Sequence, residues 1–476
     1  MMLKKSNWSN IYLNNWTVGG FALICALVST FLVTYNLIYG LAFIALFLLG
    51  VVIVLGVKWL RIFIFFLLIA KPVIDLTWRW SITNILGQRI NLQTVIALML
   101  LAITAVAILL YGRRLFQWPI IYLMVFSTFV SVLYSPSSEG INDLIRLYAG
   151  LACFFTAGVL FREQKVFDRF SGFFLLAIAV PVVLSFMQKA EILPYDYFDW
   201  WRGYTGVIGR ASGTYQHPLV FVYFLMYSIP VALYVLSLPN ISIYRRYMIW
   251  LFIGCALIAL FFTYHRVGLI AVCAQIWLWF VLTKRYQTAI VLLSLAILLV
   301  IWRWNELKIL YVNIFDILLG RVDMFSWQFL RGRGAIWFLY VKSYVEGGPL
   351  VWMIGYGNAV AEDIIPGTGY LWANEPHNDF VRFLYTYGLL GLGTYVTILM
   401  NFLWSSLLLR RSSEFYPRQL GNVMLLVLLG VFLMSLTTEP MRYPSPVWYL
   451  FAFGAIVLVQ RRLQQSKLNE INLSKV

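Results

Sequence analysis

The chain has 476 residues, of which 62% are hydrophobic and 12% charged. Soluble domains carry about 25% charge, so composition excludes an ordinary soluble fold, and runs of about 20 apolar residues mark helices that cross a bilayer instead. The net charge of +17 invites a nucleic-acid reading, but the placement of the basic residues gives it another explanation.

In chain order, apolar segments lie at roughly 18–36, 38–57, 59–74, 92–111, 118–134, 144–161, 168–188, 217–237, 247–263, 267–283, 286–304, 379–402, 420–436 and 445–460. The expected fold is all-α, a polytopic transmembrane helix bundle of about 14 spans, with about 12–14 as the range. Lys4 and Lys5 precede a polar stretch, and the first apolar run is followed at once by another. That run is therefore read as a retained span and not as a cleaved leader. The third segment is the weakest, because Lys71, Pro72 and Asp75 interrupt it.

Every second connection is short and basic: Lys58/Arg61, Arg113/Arg114, Arg162/Lys165, Arg245/Arg246, Lys284/Arg285, Arg410/Arg411 and Arg461/Arg462. By the positive-inside rule these face the cytoplasm, as do both termini, in a multi-pass membrane protein. The basic charge is then a topology signal, and nucleic acid is not an expected partner. Cys25, Cys153, Cys255 and Cys273 fall inside apolar segments without metal-ligand spacing, which suits small buried apolar residues.

The connections on the other side are long, at about 75–91, 189–216 and 305–378. The expected organisation is spans 1–11 over 1–304, a large outer loop over 305–378, three further spans over 379–460, and a short polar cytoplasmic tail over 461–476. Within the large loop, Leu307 to Leu330 reads as a surface helix broken at Arg331-Gly332-Arg333-Gly334. A second helix runs through about Tyr344 to a stop at Gly347-Gly348-Pro349, and Gly355-Tyr356-Gly357-Asn358 reads as a turn.

The three histidines, His217, His265 and His377, all map to the outer side, each with an arginine near it in sequence: Arg210, Arg266 and Arg382. A membrane-edge arginine can simply snorkel to the interface. The set as a whole is a functional candidate, because ionisable groups at membrane depth are costly. Arginine presents a planar fork of donors that fits phosphate oxygens, and a neutral histidine can take a proton from a hydroxyl. Together they suit attack of a hydroxyl on a carbon whose leaving group is a lipid-linked pyrophosphate. No phosphate-binding glycine loop with Lys-Ser/Thr and no His-Glu-x-x-His is present, and no carboxylate cluster demands a metal, so no cofactor is expected.

Four elements resemble the O-antigen polymerase and O-antigen ligase superfamily of bacterial envelope glycosyltransferases. Arg210 lies in a glycine-containing loop before a span. Thr263-Tyr264-His265-Arg266-Val267-Gly268 is similar to the family's Thr-x-Ser-Arg-Gly element, with His265 for Ser and Val267 for Gly. Gly332-Arg333-Gly334 to Trp337, then Gly355-Tyr356-Gly357, resembles an Arg–Trp–Gly-x-Gly pattern. Glu375-Pro376-His377-Asn378-Asp379-Phe380, then Tyr387-Gly388-Leu389-Leu390-Gly391, resembles its His-Asn element and the glycine-rich span after it.

The resemblance implies a GT-C-like, metal-independent glycosyltransferase that takes undecaprenyl-pyrophosphate-linked glycan at the outer face. Arg210 and Arg266 would bind pyrophosphate and His377 would be the general base. Arg333, Glu375 and Arg382 join the substrate-binding candidates, Arg333 either helping the pyrophosphate or pinning the loop. His265 is a polar contact to substrate or an interfacial histidine. His217 is a substrate contact or, given Pro218, a helix start. Glu439 and Arg442 line the acceptor side or form a local ion pair. Asp379 contacts substrate, orients His377 or caps the following helix. The expected activity is a polysaccharide polymerase that extends a lipid-linked repeat unit, with the bilayer and a chain-length regulator protein as further partners. The alternatives are a ligase that moves glycan to lipid A–core and, from a different class, a lipid-linked oligosaccharide flippase, whose charges would more typically sit at the midplane.

Overall fold

The computed structural model describes residues 60–77, 81–85, 88–111, 119–160, 163–193, 209–302, 333–357 and 375–473. The apolar segments at 18–36 and 38–57 and the surface helix at Leu307–Leu330 lie outside these residues.

Each remaining apolar segment is a helix. The first part of the chain holds α1 (Leu60–Ile74), a hairpin of β1 (Ser81–Ile85) and β2 (Gln88–Asn91), α2 (Leu92–Tyr111), α3 (Pro119–Tyr134), α4 (Ser138–Leu160) and α5 (Gln164–Lys189). Next come α6 (Pro218–Ser237), α7 (Ile243–Phe262), α8 (Arg266–Leu282) and α9 (Tyr286–Trp302). The loop region carries α10 (Arg333–Glu346) and α11 (Gly348–Ile354), and α12 (Asp379–Arg410), α13 (Phe415–Ser435) and α14 (Pro444–Leu473) close the chain.

The structure adds three features to the sequence reading. The connection after α1 contains the antiparallel hairpin, a local pairing that the sequence reading missed. Gly347-Gly348-Pro349 ends one helix but also starts the next, because Pro349 sits in the first turn of α11, where a missing N–H costs nothing. The expected tail at 461–476 is helical through Leu473, an unbroken continuation of α14.

Among the described residues, α5, α6, α7, α12 and α13 are long and apolar enough to cross a membrane. This helical architecture is compatible with a membrane-embedded protein. Large apolar side chains such as Phe66, Phe126, Leu176, Ile258 and Trp404 are exposed on the outer faces of helices, where an apolar solvent would cover them. The centre is α6, buried over nearly its whole length and packed by α5, α7, α8, α13 and α14. A second seam joins α4 to α14, where the rings of Phe154 and Phe451 meet edge-on at 6.4 Å.

Many polar groups inside this core are satisfied locally or across helices, as a water-poor interior favours. Tyr227 donates to the Pro446 carbonyl at 2.7 Å, Tyr449 to Leu68 at 2.6 Å, and Gln275 to Leu426 at 2.9 Å. The residues that interrupt the third apolar segment are absorbed in the same way. Lys71 pairs with Asp75, Asp75 accepts from Ser445, and the Lys71 ammonium lies 4.8 Å from the Trp448 ring centre. Tyr215 donates to the Pro72 carbonyl at 2.9 Å.

The glycine motifs have a shared purpose. Gly388 has φ 65° and ψ −166° and breaks α12, which releases carbonyls that a continuous helix would have used. The Tyr385 and Thr386 carbonyls accept instead from Tyr356 N–H at 2.9 Å and Gly357 N–H at 2.8 Å, and Thr386 also accepts from the Ser131 hydroxyl at 2.5 Å. The segment read as a turn at Gly355–Gly357 is therefore docked on the broken span. The two backbones touch so closely that a Cβ on Gly388 would lie 2.4 Å from the Met353 carbonyl oxygen, and one on Gly355 2.4 Å from that of Thr386.

Gly388→Ala is expected to destabilise the fold by about 2 kcal/mol or more, from backbone strain plus the clash. Gly393, with no atom within 4 Å of an added Cβ, is the matched control. Thermal unfolding in nanodiscs should show a lower Tm for Gly388→Ala alone, and equal Tm values for the two variants would contradict this role.

Candidate functional site

The three histidines come together at one end of the bundle, two of them fixed by the backbone of a helix start. His217 precedes α6 and its Nδ1 accepts from Leu219 N–H at 3.0 Å. His265 precedes α8 and its Nδ1 accepts from Gly268 N–H at 3.0 Å. Both occupy the N-cap position, where an acceptor satisfies a backbone donor that the helix cannot. His377 lies one residue before the N-cap of α12, which is Asn378, whose side chain accepts from Val381 N–H at 3.1 Å. The His377 backbone is held at φ 48°, an uncommon conformation for a residue with a Cβ. Its N–H donates to the Glu439 carboxylate at 2.6 Å.

Arg210 reaches this group from the segment before α6. Its Nε donates to the Thr263 carbonyl at 2.9 Å, two residues before His265. Gln188, at the end of α5, anchors that segment by accepting from Ser212 N–H at 3.0 Å and Gly213 N–H at 2.9 Å. Arg333 opens α10, which is tied to the His377 loop by Trp337 Nε1 donating to the Pro376 carbonyl at 2.6 Å. Arg442 pairs with Glu375, and a second carboxylate, that of Glu439, lies 3.8 Å away. The expected local ion pair is therefore present, with Glu375 as its closer partner.

The other candidates are placed differently. Arg382 is buried and paired with Asp143, which also holds Arg146 at 3.2 Å; among the described residues Arg382 Nε and one Nη have no hydrogen-bond partner. Asp379 is buried and does not cap α12, since Asn378 does. Its carboxylate accepts instead from Ser435 at 2.7 Å and from Met441 N–H at 3.3 Å, joining α12 to the turn at 436–443. Arg266 is exposed at the start of α8, and the charges that reach His265 are those of Arg210 and Arg333. The structure does not gather Arg266 into the buried group.

Electrostatics keeps the imidazoles neutral. Burial, aided by Arg210, His265, His377 and Arg442, pushes His217 down to about 3. Burial with Arg210 and Arg333 does the same to His265, also to about 3. His377 falls to about 4 through burial and Arg333, partly opposed by Glu375, with Arg442 adding to the fall. Glu439 moves the other way, to about 7, because burial outweighs the pull of Arg382 and Arg442. Among the described residues no three His, Cys, Asp or Glu side chains converge as ligands for a metal ion.

Sequence reasoning missed Gln188, Asp143 and Asn378 as positioning residues. Asn378 was visible in the motif beside His377, whereas Gln188 and Asp143 gain their roles only through contacts made by the fold.

No protein-family model matches the chain, and no curated protein matches it significantly.

The shifted histidines predict a pH dependence of stability. The unfolded imidazoles titrate near 6.5, against about 3 to 4 when folded, so between these values the unfolded chain binds more protons. Stability from the histidines is complete above 6.5 and is lost as pH falls towards 3. Glu439, raised from 4.5 to about 7, opposes this in part. Tm in nanodiscs is expected to fall on acidification from pH 6.5 to about 5, and less steeply in His265→Asn. A Tm that holds or rises on acidification would contradict the neutral assignment.

Proposed function

We propose that the chain is a polysaccharide polymerase of the O-antigen or exopolysaccharide type. In this reading it is a GT-C-like integral-membrane glycosyltransferase of about 14 spans, with both termini cytoplasmic and the histidine end on the outer face of the bacterial inner membrane. It would transfer glycan from undecaprenyl pyrophosphate onto the non-reducing end of a lipid-linked repeat unit. The observation that carries the reading is the convergence of three neutral histidines with the guanidinium groups of Arg210 and Arg333. The resemblance of the motifs around Arg210, His265, Arg333 and His377 supports the same assignment.

The chemistry divides between the two halves of the cluster. An acceptor hydroxyl attacks the anomeric carbon of the donor sugar. The new C–O bond forms as the bond from that carbon to the pyrophosphate oxygen breaks, and the leaving group takes the electron pair. Arg210 neutralises the growing charge through the fork of its Nη donors, its Nε being anchored on Thr263. Arg266, exposed beside His265, is available to a ligand arriving from outside. His377 takes the hydroxyl proton, since its low affinity for protons in the resting site keeps it in the base form. Arg333, Glu375 and Arg442 surround His377 and hold its loop, with Glu439 fixing its backbone.

His377→Ala is expected to abolish glycan transfer, at least about 100-fold, while the protein still inserts and folds. Arg210→Lys is expected to lose activity strongly despite keeping the charge, because lysine has neither the planar fork nor the Nε anchor. Both are read from the glycan ladder made by membrane vesicles supplied with lipid-linked repeat. Wild-type ladders from His377→Ala would remove that residue from the mechanism, and wild-type ladders from Arg210→Lys would reduce Arg210 to a simple charge.

A further inference from the structure

Tyr264 stands in a position that suits glycine. It follows Thr263, the C-cap of α7, and its N–H donates to the Phe261 carbonyl at 3.0 Å with the backbone at φ 51°. Helices often end on a left-handed residue just past the C-cap, where glycine carries no Cβ penalty. A bulky side chain in that conformation is strained. The strain does not secure burial, since Tyr264 is 43% exposed. Its ring meets only the edge of the fold, with Phe261, itself exposed, 6.3 Å away between ring centres.

Lys189, the last residue of α5, is also exposed. Its ammonium lies 5.8 Å from the centre of the Tyr264 ring and 5.9 Å from that of Phe262. Both Lys189 and Tyr264 are chain neighbours of residues that fix the Arg210 segment. Gln188 accepts from Ser212 and Gly213 N–H, and the Thr263 carbonyl accepts from Arg210 Nε. On its other side Tyr264 leads directly into His265. An aromatic face with a cation over it therefore stands at the exposed rim of the histidine end.

This pairing is complementary to a sugar ring. The electron-rich aromatic face attracts the polarised C–H groups on the flat side of a pyranose, while ammonium and phenol can donate to hydroxyls at the ring's edge. We propose that Tyr264 and Lys189 form a carbohydrate subsite that holds a sugar of the lipid-linked glycan beside the transfer centre. This rests on the functional reading above and deepens it, by adding a contact that reads the glycan and not its lipid carrier. Backbone strain at Tyr264 is then offset by what the exposed ring does for substrate.

Glycine separates the ring from the backbone. Tyr264→Gly removes the side chain but keeps, and relaxes, the left-handed turn. The purified full chain in nanodiscs is titrated with its undecaprenyl-pyrophosphate-linked repeat unit and, separately, with undecaprenyl pyrophosphate that carries no sugar. Wild type should bind the glycosylated lipid more tightly. Tyr264→Gly should raise the Kd for that lipid roughly ten-fold, leave the Kd for the bare lipid unchanged, and have an equal or higher Tm. Tyr264→Phe, which keeps the face, should lose less than Tyr264→Gly, and Lys189→Gln should also weaken the glycosylated lipid alone.

An unchanged Kd for the glycosylated lipid in Tyr264→Gly would overturn the proposal. Equal losses for both lipids would overturn it as well, and would make the pair a contact to the lipid carrier or headgroups. A lower Tm with both affinities reduced would return Tyr264 to a structural role. A wild-type protein that binds neither lipid would sink the functional reading itself, and the subsite with it.

Discussion

The first backbone N–H groups of a helix have no partner within it, and in a water-poor interior something else must accept from them. At the histidine end, α6, α8 and α12 meet this need with His217, His265 and Asn378. The rest of the site depends on that requirement. Capping fixes ring orientation and tautomer, burial keeps the rings neutral, and the short segments leading into the caps carry Arg210 and His377 to the same place. The candidate site lies where helices begin, because there the backbone presents directed polar groups.

Charge is distributed with the same economy. Arg382, Arg442 and Arg146 are matched to Asp143, Glu375 and Glu439. Breaking the buried Arg382–Asp143 pair from one side would leave an uncompensated charge and cost about 3–5 kcal/mol. These arginines therefore hold the end of the bundle together. Among the described residues Arg210 has a backbone carbonyl where the others have carboxylates. The break at Gly388 contributes by docking α10 and α11 onto α12, so that Arg333 arrives beside His377 from a distant part of the sequence.

Much of this was legible in the sequence. Apolar runs near bilayer length located the helices α1 to α9 and α12 to α14, because such a run has few other ways to satisfy its backbone. Pro218 marked the start of α6, and the Gly355 and Gly388 motifs marked an irregularity, although not that the two sites bind each other. The site was legible as a list of rare ionisable residues. Their division into roles was not, since it depends on which atom accepts which backbone proton. Arg266 shows the limit: adjacency to His265 in sequence suggested a shared pocket, yet the first turn of α8 leaves it exposed. Asp379 shows the converse, a residue that looked like a cap and is instead a buried tie to Ser435 and Met441.

The central claim is that this site extends lipid-linked glycan without a metal or a second kind of acceptor. Its most direct test is the purified protein in lipid, given only its native undecaprenyl-pyrophosphate-linked repeat unit with chelator present, and its products resolved on a gel. The account predicts a ladder of lengthening glycan. Absence of a ladder until Mg²⁺ or a lipid A–core acceptor is added would contradict it, the first outcome by requiring a metal and the second by making the protein a ligase.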